Sequence, residues 1–464
     1  MFEFKPFITS DGSVGLYSVD SGDIYHSAVG AVTESYYKYI LPANVCKHLL
    51  NNEKIHVLDL CYGIGYNSKS FLNLLFFILN KNLPKKNINK QKILSPYIDM
   101  ILTDNMNTII YNDEIYGDKI NKISANNLYN DTLYSDKYLE NFIALLYDKL
   151  LKSKISITAI DIDSTLGLLS PFIKNSKISK KSFNFYQDKK LQNLLEKNKF
   201  LNNSNSKNIS QDINFEFYHK FVNMYIYDKL IMNNREALYN KDIESILSDK
   251  RYKNLFDPDM VKLFHLNKKN RMSCSPFIVF WNFLHNIYYK YISYRNKIDQ
   301  RAFKMGNIDF ELIFNDARKV LSGDNKLYDI IFLDAFTPTC APSLWTIDFI
   351  KCLYTHVSNS GMILTYTSAA PVRKAFIDAG LNIGKIYNKF ENRFSGTIAS
   401  KDKSCIEYPL SDYEIGILET KAGIPYKDFT LSKTDEEILN LRKYEVEHSN
   451  LLSATEYKRK LNLI

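Results

Sequence analysis

Short runs of apolar residues recur along the chain, and each is followed by turn residues and then by a segment with helical periodicity. The runs lie at 55–60, 155–160, 328–333 and 362–366. Apolar strands that alternate with helices indicate a parallel sheet covered on both faces. Three of these runs end in an acidic residue or a glycine-rich turn, and ligands of open α/β sheets bind at the carboxyl ends of the strands. The pattern therefore predicts an α/β fold with a mostly parallel sheet and a ligand site at one edge of that sheet.

The intervals between the predicted strands are too long for ordinary crossover connections. Nearly a hundred residues separate the first strand from the second, and another long interval precedes the third. We interpret about 80–151 and 174–309 as large, mainly helical insertions in one domain that spans 51–430. An N-terminal segment, 1–50, is expected to complete the ligand pocket, and 431–464 is expected to form a C-terminal helical tail.

Composition limits the classes of protein to which the chain can belong. With 45% hydrophobic residues in a length of 464, the chain can bury a full-sized core. The formal net charge of +9 suits a polyanionic partner such as nucleic acid without requiring one. The six cysteines form no C-x-x-C pair, so neither a metal site nor a disulfide framework is expected. Because no apolar run approaches a membrane-spanning length, we expect a cytoplasmic protein with no membrane partner.

A glycine-rich turn follows the first predicted strand. Gly63 and Gly65 allow the backbone to approach a ligand closely, and the carboxylate of Asp59 can accept a hydrogen bond from an amino group. The second strand ends in Asp161, where the ribose hydroxyls of a nucleotide would lie in folds of this kind. The alternative for Asp161 is an ordinary helix-capping role. Asp163 is expected to begin the helix that follows.

The most specific motif ends the third predicted strand, where Asp334 is followed by Ala-Phe-Thr-Pro. Because proline cannot donate a hydrogen bond to a sheet ladder, Pro338 stops the strand and leaves Asp334 at the sheet edge beside the ligand. Such an acid can orient an amine by accepting hydrogen bonds from it. A further acid, Asp316, follows another short apolar run, and its carboxylate and the amide of Ala317 are expected against an adenine edge.

Four segments, taken together and in order, carry a family resemblance. They are Asp23-Ile24-Tyr25-His26-Ser27 with Gly30-Ala31 and Glu34-Ser35, the Gly63, Gly65 and Asn67 turn, Asp334 to Trp345, and Thr365 to Ala369 with Val372-Arg373. These segments resemble the methyltransferase domain of the MnmC-type enzymes, which complete the 5-methylaminomethyl group on the wobble uridine of tRNA. The resemblance covers roughly 8–75, 155–173 and 310–400, and the insertions have no counterpart in it. It implies a Rossmann-like methyltransferase fold, S-adenosylmethionine as cofactor and tRNA as partner.

The resemblance also implies roles for individual residues. Asp334 would be the catalytic acid, and Asp161 would bind the ribose of the cofactor. The methionine end of the cofactor would lie against the glycine turn, with Asp59, Gly63, Gly65 and Asn67. The pocket would be completed by Tyr25 and Glu34 on the cofactor side and by Phe336, Pro338 and Trp345 on the substrate side.

Two departures from the family pattern affect the expected substrate preference. Cys61 stands where the family usually has glycine, and Cys340 takes the place of a frequent lysine. Larger relatives carry a flavin-dependent oxidase domain as well. No G-x-G-x-x-G motif occurs in this chain, so the flavin step is not expected.

Basic residues of the second insertion are candidates for contacts with tRNA. Lys290, Arg295, Lys297 and Arg301 cluster in the C-terminal half of a predicted helix, where they complement the helix dipole and could equally meet phosphate. Two other functions stay open at this point. One is an aminopropyltransferase or a methyltransferase of another amine, and the other is a catalytically silent RNA-binding scaffold. The sequence identifies neither the tRNAs used nor the oligomeric state.

Overall fold

A seven-stranded sheet lies at the centre of the molecule. The computed structural model describes residues 4–18, 24–25, 30–79, 136–174, 216–269, 307–388 and 391–461. The strands are β1 (Phe4–Ile8), β2 (Val14–Ser18), β3 (Lys54–Leu60), β4 (Lys154–Asp161), β5 (Ile308–Phe314), β6 (Tyr328–Leu333), β7 (Val357–Thr365), β8 (Asn382–Asn388) and β9 (Arg393–Ser400). The central sheet has the order β5-β4-β3-β6-β7-β9-β8, and β1 and β2 form a separate antiparallel hairpin.

The direction of the strands confirms the predicted fold class. Strands β5, β4, β3, β6 and β7 are parallel to one another. Strand β9 is antiparallel to both of its neighbours and separates β7 from β8. The carboxyl ends of β3, β4 and β6 therefore meet at one edge, called here the carboxyl edge.

Helices cover both faces of this sheet. Those described are α1 (Ala31–Ser35), α2 (Val45–Asn51), α3 (Tyr66–Leu79), α4 (Asp136–Lys152), α5 (Ser164–Leu169), α6 (Glu216–Leu238), α7 (Lys241–Ser248), α8 (Pro258–Lys269), α9 (Ala317–Ser322), α10 (Ile347–His356), α11 (Ala370–Asp378), α12 (Asp412–Leu418), α13 (Asp435–His448) and α14 (Ala454–Lys460). A π-helical turn, Tyr36–Ile40, continues directly from α1. None of the described helices is both long and apolar enough to cross a membrane.

Alternate residues of β3 divide the core into two layers. Ile55 and Val57 pack into one cluster of buried side chains, and Leu58 and Leu60 pack into the other. Both sets are completely buried. A strand that is apolar on both faces is what a parallel sheet between two helical layers requires.

The described parts of the two predicted insertions belong to the core. Helix α4 packs against α3, and α6 packs against α3 and β5. Val222, Ile226 and Leu230 of α6 are buried in the same cluster as Val57. These helices are therefore part of the layer that covers one face of the sheet. Strand β5 begins at Ile308, next to the approximate end of the second insertion at 309.

A buried histidine links helix α10 to the loop before β6. The Nδ1 atom of His356 lies 2.8 Å from the carbonyl oxygen of Cys352, and its Nε2 atom lies 3.0 Å from the carbonyl oxygen of Asp324. Because a carbonyl oxygen only accepts, both ring nitrogens must carry a proton. The contacts with the thiol and carbonyl of Cys352 and with Asp324 raise the pKa of His356 to about 9. The charge also suits the C-terminus of a helix.

We predict that the stability contributed by His356 depends on pH. The pKa is about 9 in the folded protein and about 6.5 when unfolded, so the contribution is complete below pH ~6.5 and is lost as the pH rises through ~9. Substitution His356→Gln should lower the free energy of unfolding by up to about 3 kcal/mol at pH 6 and by much less at pH 9.5. Urea unfolding at several pH values measures this difference. His265→Gln, at an exposed position, is the control, and an equal loss at both pH values would contradict the ionised state of His356.

Candidate active site

Three acidic residues predicted from separate motifs come together at the carboxyl edge. Asp59 lies in β3, Asp161 ends β4, and Asp334 follows β6. The backbone amide of Gly63 donates to Asp161 Oδ2 at 2.6 Å, and the side-chain amide of Asn67 donates to Asp334 Oδ2 at 2.9 Å. The turn after β3 therefore lies between the two other acids and is hydrogen bonded to both.

The backbone of this turn is left-handed at three positions. The φ angles are 63° at Cys61, 54° at Gly63 and 80° at Gly65. A Cβ atom at Gly65 would lie 2.3 Å from the ring of Tyr62, so glycine is needed there for packing. A Cβ atom at Gly63 would come no closer than 3.4 Å, to the ring of Tyr25. A Cβ atom at Gly63 would thus be in ordinary van der Waals contact with Tyr25, and glycine leaves the backbone bare for a ligand to approach.

Asp59 is almost completely buried and holds the start of helix α3. Its Oδ2 atom accepts from the amide of Ser68 at 3.0 Å and from the hydroxyl of Ser68 at 2.6 Å. Its Oδ1 atom is buried and has no hydrogen-bond partner within the described part of the chain. Burial is the main reason that the pKa of Asp59 is raised to about 8. An unpaired buried acceptor is costly, so this oxygen is suited to a donor that arrives with a ligand.

Asp161 organises the neighbouring loop. It accepts from Gly63 through one oxygen and, through the other, from the amide of Asp163 at 2.7 Å. Burial raises the pKa of Asp161 to about 6. Asp163 caps helix α5 by accepting from the amides of Thr165 and Leu166, as predicted from the sequence. Each oxygen of Asp161 keeps a second lone pair for a hydroxyl donor.

Ile162 is a residue of this edge that sequence reasoning missed. It is 80% exposed although it follows a buried strand and lies between two acids. An isolated exposed isoleucine needs no explanation by itself. Its place beside Asp161, however, gives the edge an apolar surface next to the predicted ribose position. The signal in the sequence was an apolar residue directly after the strand-ending acid.

Asp334 is fixed by hydrogen bonds from two directions. The hydroxyl of Tyr39 donates to its Oδ1 atom at 2.6 Å, and Asn67 donates to its Oδ2 atom. Burial, followed by the charge of Glu34, raises the pKa of Asp334 to about 6. Glu34 itself pairs with Lys38 at 2.6 Å. Tyr39 was not predicted, because 295 residues separate it from Asp334 and no local pattern relates the two.

Aromatic residues form the wall beside Asp334. The rings of Tyr25 and Phe336 meet edge to face with centroids 4.8 Å apart. Pro338 is buried, and Trp345 is completely buried and donates from Nε1 to the carbonyl oxygen of Phe336 at 2.8 Å. Trp345 therefore supports the Phe336 loop from the core side. Of the residues predicted on the substrate side, Phe336 is the one that stays partly exposed.

Asp316 is engaged in an ion-pair network. It caps helix α9 and pairs with Arg318 at 2.7 Å, and Arg318 also pairs with the buried Asp428 at 2.9 Å. A contact of Asp316 and the Ala317 amide with adenine stays a prediction. Lys290, Arg295, Lys297 and Arg301, predicted to contact tRNA, lie outside the described residues.

Cys61 gives a test of the strain in the turn. A left-handed conformation costs about 1–2 kcal/mol for a residue with a Cβ atom. Glycine avoids this cost but lowers stability by about 0.4–1 kcal/mol, because it increases the conformational entropy of the unfolded chain. We predict that Cys61→Gly is more stable than Cys61→Ala by up to about 1 kcal/mol. Urea unfolding of both variants measures the order. The matched control is Cys352 inside helix α10, where the alanine variant should be more stable than the glycine variant. The same order of stability at both positions would contradict the strain at Cys61.

Comparison with known proteins shows which families and proteins the chain is similar to. Residues 280–402 match the family described as S-adenosyl-L-methionine-dependent methyltransferase. The chain is 31% identical over 135 residues to the uncharacterized protein MJ0670 of Methanocaldococcus jannaschii, which is 29% of this chain and 38% of that protein. It is 30% identical over 98 residues to the tRNA 5-methylaminomethyl-2-thiouridine biosynthesis bifunctional protein MnmC of Pseudomonas putida, which is 21% of this chain and 15% of that protein.

A solved structure, MNMC2 from Aquifex aeolicus, aligns over 97% of this chain and 87% of its own, with a TM-score of 0.48 and 15% identity. The matched segments span well under half the length of the curated relatives. The family match at residues 280–402 includes the Asp334 motif and its surroundings. Over these segments the chain is therefore similar to S-adenosyl-L-methionine-dependent methyltransferases, including the MnmC proteins.

Proposed function

We propose that the protein methylates the amino group of a 5-aminomethyl uridine at the wobble position of tRNA, giving the 5-methylaminomethyl (2-thio)uridine product. The observation that carries this proposal is the half-buried carboxylate of Asp334, held by Tyr39 and Asn67 beside the glycine turn. The names of the MnmC relatives, which refer to biosynthesis of 5-methylaminomethyl-2-thiouridine in tRNA, support the choice of substrate.

The residues of the carboxyl edge fit S-adenosylmethionine. When bound, this cofactor supplies an electrophilic methyl group on a sulfonium. The unpaired Oδ1 atom of Asp59 would accept from its amino group, and the bare backbone at Gly63 would lie against its methionine portion. Asp161 would accept from the ribose hydroxyls, and the exposed side chain of Ile162 would pack against the adenine.

The charges around Asp334 suit an amine substrate. An alkyl ammonium in water has a pKa near 10, as in lysine, so it reaches the site as a cation and is attracted by ionised Asp334 and Glu34. A nucleophilic amine must then lose a proton. Burial raises the pKa of Asp334 to about 6, which makes its carboxylate a better proton acceptor than an exposed aspartate. Asp334 would then hold the nitrogen by accepting hydrogen bonds from its remaining N–H groups, while Tyr25 and Phe336 exclude water.

Affinity for tRNA must come from outside this small pocket. The excess of nine positive charges would provide it through phosphate contacts, with Lys290, Arg295 and Arg301 as the proposed contributors. A methyltransferase or aminopropyltransferase of another small amine is the second candidate, because the acidic pocket would attract any primary ammonium. Mass spectrometry of nucleosides from tRNA, incubated with the protein and labelled S-adenosylmethionine, separates these functions. Label in small amines alone would exclude the tRNA reaction.

The glycine turn gives a test of the cofactor site. Gly63→Val should abolish detectable binding of S-adenosylmethionine, because the added side chain would cover the bare backbone that the methionine portion would approach. Calorimetry with the purified variant measures the affinity. The matched control is Gly380→Val, since Gly380 has a φ of 93° and the nearest atom to an added Cβ is 3.6 Å away. This control variant has the same kind of backbone strain and should bind S-adenosylmethionine with the affinity of the native protein. Equal affinities in the two variants would contradict the assignment of this turn.

Asp334 gives a test of the reaction. Asp334→Ala should reduce turnover on tRNA by about a hundredfold or more, as expected when a positioned acid or base is lost, with a much smaller change in cofactor affinity. Single-turnover methylation assays measure the rate. Asp329→Asn is the control, because Asp329 lies at the other end of the same strand and accepts from the amide of His56 and the hydroxyl of Ser358. Near-normal turnover of Asp334→Ala would make this carboxylate structural.

A further inference from the structure

Tyr39 occupies an unusual position in the backbone. It lies in the π-helical turn Tyr36–Ile40, where the amide of Leu41 donates to the carbonyl oxygen of Tyr36 at 2.8 Å, five residues earlier. Turns of this kind are rare and are often found at functional sites. The side chain of Tyr39 is completely buried. Its ring packs edge to face on Phe332 of β6, with centroids 5.8 Å apart.

The hydroxyl of Tyr39 connects the ends of two strands. It donates to Asp334 Oδ1 after β6, and it accepts from the amide of Tyr366 after β7 at 3.3 Å. The pKa of Tyr39 is raised well above its usual value by burial and by the charge of Asp334, so the phenol stays protonated and remains a donor. The buried ring fixes the position of the hydroxyl, and the backbone fixes the position of the Tyr366 amide that donates to it.

The carboxylate of Asp334 is thus held at both oxygens by segments that are distant in sequence. Tyr39 holds Oδ1 from the N-terminal segment, and Asn67 holds Oδ2 from the first turn of α3. Two such bonds fix the plane of the carboxylate. One lone pair of each oxygen is then left in a defined direction for a substrate nitrogen.

We propose that Tyr39 is the positioning residue of the reaction, which sets the orientation of the Asp334 carboxylate toward the amine. This inference rests on the proposed function, since it assigns to Asp334 the contact with the amine. Tyr39 acts through Asp334 and not by touching the substrate. Loss of its hydroxyl leaves the carboxylate fixed at one oxygen and free to rotate away from the line of attack.

The electrostatic surroundings of Asp334 determine the sign of the expected pH effect. The charged or titratable groups that face it or its partners are Glu34, Lys38 and Tyr39 from the N-terminal segment, Asp59 and Cys61 from β3 and its turn, Asp161 from β4, and Tyr366 after β7. Burial and Glu34 raise the pKa of Asp334 to about 6, whereas the hydrogen bonds from Tyr39 and Asn67 lower it. Removal of the Tyr39 hydroxyl therefore raises this pKa further, and the acidic limb of the rate profile moves to higher pH.

The first experiment uses Tyr39→Phe, which keeps the buried ring. The turnover number should fall about tenfold, as expected for a lost hydrogen bond to a charged group, and the acidic limb should move up by about one pH unit. The KM for tRNA and the affinity for S-adenosylmethionine should stay within twofold of the native values, about the uncertainty of such assays. Tyr36→Phe is the matched control, because Tyr36 is a buried tyrosine of the same turn whose hydroxyl donates to the carbonyl oxygen of Ser70. An unshifted acidic limb in Tyr39→Phe, or an equal shift in Tyr36→Phe, would overturn the proposal.

A second variant strengthens the hydrogen bond from Tyr39 to Asp334 instead of removing it. Incorporation of 3-fluorotyrosine at position 39 retains the shape of the ring and makes the phenol a stronger donor, so the acidic limb should move to lower pH. A structural role alone predicts no such pair of opposite shifts. Carbon-13 NMR titration of labelled aspartate, with Asp334→Asn for assignment, reads the same two shifts without any substrate. If the NMR shifts appear and no methylation of tRNA is detected, the proposed function fails while the positioning of Asp334 stands; if neither NMR shift appears, the positioning fails.

Discussion

The structure depends on three carboxylates held at one edge of the sheet, of which Asp59 is buried and Asp161 and Asp334 are half-buried. A buried carboxylate is costly unless donors reach its oxygens, and here the donors come from distant parts of the chain. At the start of α3, Ser68 donates to Asp59 and Asn67 donates to Asp334. Gly63 donates to Asp161, and Tyr39 donates to Asp334. The site therefore becomes complete only when the N-terminal segment, the glycine turn and strands β4 and β6 have all packed together.

The glycine turn is also tied to the helices of the second insertion. Lys69 of α3 is completely buried and donates to the carbonyl oxygen of Ser170 at 2.8 Å, and burial lowers its pKa to about 7. The hydroxyl of Ser170 in turn donates to the carbonyl oxygen of Ile64 at 2.8 Å. Four residues further on, the amide of Lys174 donates to the carbonyl oxygen of Leu255, just before α8. A chain of direct contacts thus leads from the turn into the helical layer.

Cys61 shows how this turn tolerates a departure from the family pattern. The residue is half-buried, and the pKa of its thiol is raised well above the usual value, first by burial and then by Asp161 and Asp334. It therefore stays protonated and behaves as a small apolar group. The left-handed φ of 63° is a conformation that favours glycine, and the cost of the Cβ atom is offset by packing against the core cluster that contains Leu60 and Ile160.

The sequence by itself determined the features that depend on local patterns. Apolar runs identified four strands, proline and glycine identified where two of them end, and the strand-ending acids Asp161 and Asp334 were expected at the same edge of the sheet. These succeed because a parallel sheet brings its carboxyl ends together whatever the length of the connections. The tertiary structure alone decided the rest. It placed β9 between β7 and β8, packed the insertion helices onto the core, exposed Ile162, and brought Tyr39 to Asp334 across 295 residues. No periodicity within one segment encodes such a contact, because it depends on the packing of two elements whose relative position is set by the whole fold.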